Sequence, residues 1–103
     1  MSAAGNLLRE AKALISDPKD WTQKGVYITP EGCLCSAGAI NRAYNTSGVA
    51  PDVADKAYVI MNKSVSKVSR IHHVNSYNDD PKTTHTDIMK LFDDAAAMAD
   101  EPT

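Results

Sequence analysis

The chain has 103 residues, 43% hydrophobic and 23% charged, with eleven basic against thirteen acidic side chains and a formal net charge of −2. Those values suit a single helical domain over residues 1–103 that can bury a core without disulfides or metal, and they leave no strongly basic face for a phosphate backbone. No stretch is apolar enough for a bilayer and no basic segment leads into an apolar one at the N-terminus. The expectation is a cytoplasmic protein with reduced cysteines and neither a nucleic-acid nor a membrane partner.

Taken in order, Leu7, Leu8, Ala11, Leu14 and Ile15 recur at the spacing of one apolar helix face. They predict a first helix from about Ala3 to Ser16, capped by Ser2 and ended by Asp17-Pro18. Trp21 is expected to anchor the following connection in the core. Gly25 to Leu34 reads as a short hairpin, with Val26-Tyr27-Ile28 as strand and Thr29-Pro30-Glu31-Gly32 as a type I turn.

A second helix is predicted from Ser36, its N-cap, to about Asn45, with Ile40, Ala43 and Tyr44 inward and Thr46-Ser47-Gly48 as the break. Pro51 suits the first turn of a third helix carrying Val53, Ala57, Ile60 and Met61 inward. Ser64 to Ser69 is ambiguous, because Val65 and Val68 fit a helix and the serines weaken it. Ile71 to Tyr77 reads as a further short helix and Asn78-Asp79-Asp80-Pro81 as a loop. Thr84-His85-Thr86-Asp87 has the form of a capping box, opening a last helix with Ile88, Met89, Phe92, Ala95, Ala96 and Ala99 as its buried stripe. The expected fold is mainly α, a compact bundle of four to five helices with one short β-hairpin.

Leu7-Leu8-Arg9-Glu10-Ala11 with Asp20-Trp21-Thr22-Gln23-Lys24-Gly25, the Cys-x-x-Gly-Ala-aliphatic run Cys35 to Ile40, and Tyr77-Asn78-Asp79-Asp80-Pro81 leading into Thr84–Met89 occur in this order. Together these three segments resemble an uncharacterised family of small proteins from actinobacteria and their phages. Tyr77 stands where that family usually has Trp. The resemblance implies an intracellular domain and brings no activity with it; a phage origin would favour a small effector acting on a host protein.

The residues themselves raise two chemical readings. Cys35 lies at an expected helix start, where the macrodipole lowers a thiol pKa. With His85, His72 or His73 as base and Asn78 or Asp79 to orient it, a cysteine-dependent hydrolase is conceivable. Against that, a free cysteine beside Ala37, Gly38 and Ala39 is commonly a small buried packing residue. A metal-binding regulator would draw on Cys33, Cys35 and His73, but Cys-x-Cys lacks the second pair of a structural zinc site. The Asn78–Pro81 loop lacks the alternating ligands of a calcium loop. Asn78 or Asp79 is expected to anchor the helix that follows Cys35, and His85 to face solvent.

With no cofactor motif, the reading best supported by the residues is a protein-interaction module without catalytic activity, its partner a protein, which the phage resemblance would make one of the bacterial host. Val59, Met61 and the Met89–Met98 side of the last helix are the expected contact surface. The Ala-rich last helix also suits pairing in a homodimer.

Overall fold

In the computed structural model, which describes residues 2–101, the Ser2 hydroxyl accepts the Gly5 amide at 2.9 Å and opens helix α1 (Ala3–Leu14). Leu7, Leu8 and Ala11 are buried along one face, with Ile15 just beyond the end. The helix stops short of Ser16 because Ile15 N–H turns back to the Lys12 carbonyl, and Pro18 then opens a single 3₁₀ turn, Pro18–Asp20. Helix α1 is the central element and packs chiefly against α2 (Ser36–Ser47) and α5 (His85–Asp100). Helix α3 (Pro51–Val68) lies against α5 and α1, and the short α4 (Val74–Asp79) lies against α2 and α3.

The expected helical class holds, with five α-helices, but the hairpin does not form. Among the described residues there is no strand ladder, only isolated bridges from Leu34 to Trp21 and to Ile28. The Thr29–Gly32 turn is present, with Gly32 N–H on the Thr29 carbonyl at 2.9 Å. Pairing stops at the Ile28–Leu34 bridge, which Thr29 N–H on the Cys33 carbonyl and Cys35 N–H on the Tyr27 carbonyl close, while Leu34 N–H and O face away to Asp20 and Thr22. Cys35 is already the cap of α2. Helix entry one residue after Leu34 ends the second strand before a ladder can form.

Other boundaries shift for local reasons. Cys35, rather than Ser36, is the N-cap of α2, and the helix runs two residues past Asn45 to end on Gly48 at φ 74°. The serine-rich stretch is helical to Val68: Ser64, Val65 and Met61 are all buried there, so packing overrides weak propensity. The next helix starts at Val74, three residues later than expected, and takes in Asn78 and Asp79, which are not loop residues. In α5 the capping box is complete, Thr84 accepting from Asp87 N–H and Asp87 from Thr84 N–H. Leu91 joins its buried stripe, whereas Met89 is half-buried.

The core is one cluster of aliphatic side chains around Phe92, with Leu7, Leu8, Ile15, Ile40, Met61 and Ile88 fully buried. Alanines at 11, 39, 43, 57 and 95 lie between them and let the helices approach closely. The ends of α1 and α5 are clasped together: Ser2 N–H and Oγ both donate to Asp100 Oδ1, and Arg9 pairs with Asp100 Oδ2. That guanidinium holds the Asp100 carboxyl down at about 2, with the Ser2 amide assisting. No helix among the described residues is long and apolar enough to cross a membrane.

Candidate functional site

Between α1 and α2 the chain runs from Trp21 to Cys35 without regular structure, and Asn78 holds both of its ends. The Asn78 side chain is completely buried. Its Oδ1 accepts the Trp21 indole N–H at 2.8 Å, the Ser36 amide at 3.0 Å and the Ser36 hydroxyl at 2.7 Å. Its Nδ2 donates to the Thr22 carbonyl and to Asp79 Oδ1, both at 2.9 Å. The amide is thus oriented without ambiguity, because two N–H donors fix the oxygen and a backbone carbonyl fixes the nitrogen. The anchor expected for the helix after Cys35 is Asn78 acting on Ser36.

Gln23 adds a second clamp that nothing in the sequence singles out. Its Nε2 lies 3.0–3.1 Å from the carbonyl oxygens of Asn78, Asp80 and Thr83. These are backbone acceptors at and beyond the end of α4, which a helix cannot satisfy internally. Two protons shared among three carbonyls tie the Trp21 segment to the entry of α5.

The small residues after Cys35 have a definite steric role. A Cβ on Gly38 would collide with the Tyr27 carbonyl oxygen, so only glycine lets α2 lie against the loop backbone. Cys35 N–H donates to that same carbonyl at 3.2 Å. The result is a loop held at both ends whose middle projects outward. Val26, Tyr27 and Ile28, expected as a hairpin strand, are 45%, 61% and 47% exposed.

Cys35 is 6% exposed, and its sulfur accepts the Gly38 amide at 3.3 Å. Burial pushes its pKa up, the Gly38 and Ala37 amides oppose this, and the Asp79 charge adds to the rise. The lowered pKa expected at a helix start is therefore reversed, since desolvation outweighs the dipole and the thiol stays protonated at neutral pH. Cys33 is half-buried and donates to the Lys19 carbonyl at 3.1 Å.

The three imidazoles are committed elsewhere. His85, expected to face solvent, is half-buried; its ring tilts against Trp21 at 5.6 Å and its Nε2 lies 2.7 Å from the Ile15 carbonyl. A carbonyl only accepts, so Nε2 carries the proton. His72 Nδ1 meets Ser66 Oγ, and His73 Nδ1 accepts the Asn75 amide to cap α4. Among the described residues no imidazole hydrogen-bonds to a thiol, so Cys35, His85, Asn78 and Asp79 do not form a nucleophile–base pair. Nor do Cys33, Cys35 and His73 converge: no three His, Cys, Asp or Glu side chains among the described residues are grouped to hold a metal ion.

The surface expected from Val59, Met61 and the Met89–Met98 face is also altered. Val59 is exposed, but Met61 is fully buried, and Met89 and Met98 pack against the core. The largest run of exposed apolar side chains is instead Val26–Ile28, in the loop that Asn78 holds. No curated protein and no solved structure gives a match to the chain. Residues 1–98 match DUF6197, a family of unknown function, and the chain, matched over nearly all of its length, belongs to that family.

Proposed function

We propose that this chain is a small cytoplasmic protein-interaction module without catalytic activity, and that Val26–Tyr27–Ile28 is its contact face. The observation that carries the reading is the exposure of three consecutive apolar side chains on a backbone anchored at both ends. Each is only about half exposed, so burying it releases about 1 kcal/mol, half of what a fully exposed side chain would give. Because Cys35 N–H on the Tyr27 carbonyl and Thr29 N–H on the Cys33 carbonyl already hold the loop, little ordering cost offsets that gain. The buried, protonated Cys35 and the committed imidazoles support a role in binding over one in hydrolysis.

The three segments resemble a family of actinobacteria and their phages, and a phage origin would favour a host protein as the partner. The test is quantitative capture from an actinobacterial lysate by immobilised wild type and by a Val26→Ser/Tyr27→Ser/Ile28→Ser variant of matched helical content. The same protein should be retained by the wild type and lost by the variant. Equal retention by both, or by neither, refutes the assignment. Sedimentation of the two proteins separates a homodimer, which the same substitutions would dissociate, from a foreign partner.

A further inference from the structure

We draw no further inference here: the strongest candidate, the surface cleft of about 240 Å³ bounded by Tyr27 of the exposed loop, Asn41 of α2 and Tyr58 of α3, is an unpartnered face, and nothing in the structure shows what covers it.

Discussion

Removing the Asn78 side chain is the most demanding test of the site's architecture. Asn78→Ala deletes five hydrogen bonds and leaves the Trp21 indole N–H, the Ser36 amide, the Ser36 hydroxyl and the Thr22 carbonyl without their partner. An orphaned buried group costs about 1–3 kcal/mol, so four at the low end come to about 4 kcal/mol. Against a total stability of about 5–15 kcal/mol, that takes a large share of the fold. It corresponds to a fall in melting temperature of about 15–30 °C.

Asn78→Asp separates hydrogen bonding from volume. It keeps Oδ1 but turns a carboxylate oxygen towards the Thr22 carbonyl and Asp79. Burial and the Asp79 charge raise the introduced acid's pKa in the folded state. A raised folded-state pKa means that its stability is fully present below the unfolded value and lost as pH rises through the folded one. The deficit relative to wild type should therefore be smaller at pH 4 than at pH 7. Thermal unfolding at each pH, followed by far-UV circular dichroism and by the fluorescence of Trp21, the sole tryptophan, measures both effects. A melting temperature within about 4 °C of wild type for Asn78→Ala, under 1 kcal/mol on this scale, would refute the hub. An Asn78→Asp deficit independent of pH would refute the electrostatic part.

Gly38→Ala should cost about 1–3 kcal/mol by overpacking against the Tyr27 carbonyl, and amide exchange should quicken first at Cys35, whose N–H that carbonyl accepts. Thiol labelling should modify the half-buried Cys33 before Cys35, with Cys35 reacting only as the protein opens; equal rates in the native state would contradict the buried, protonated thiol. Asp100 has a folded-state pKa of about 2, so its contribution is present above the unfolded value near 4 and is lost as pH falls through 2. The melting-temperature advantage of wild type over Asp100→Asn should accordingly be steady near neutral pH and vanish near pH 2, and a gap that persists there would count against the Arg9–Asp100 clasp.

The periodic and capping signals each lie within a single helix, which is why they read well. Leu7, Leu8 and Ala11, the Thr84–Asp87 box and the Ile88–Ala99 stripe each reflect spacing along a single helix. The Thr29–Gly32 turn is equally local. Asn78 was recognisable as an anchor by type, but its partners Trp21, Thr22 and Ser36 are 42 to 57 residues away. Gln23 stood in a resembling segment but gave no sign of its role, because an amide becomes a clamp only when three carbonyls from another segment surround it.

Sequence alone, then, determined a mainly helical chain with an aliphatic core, and the turns and caps that start and stop most of its helices. Tertiary structure decided the rest. It turned the expected hairpin into an anchored loop, because the chain enters α2 at Cys35, one residue after the Ile28–Leu34 bridge. It carried α3 through a serine-rich stretch by burying Ser64 and Val65. It also reversed the sign at Cys35: a helix dipole is written in local order, whereas desolvation depends on what packs over the sulfur.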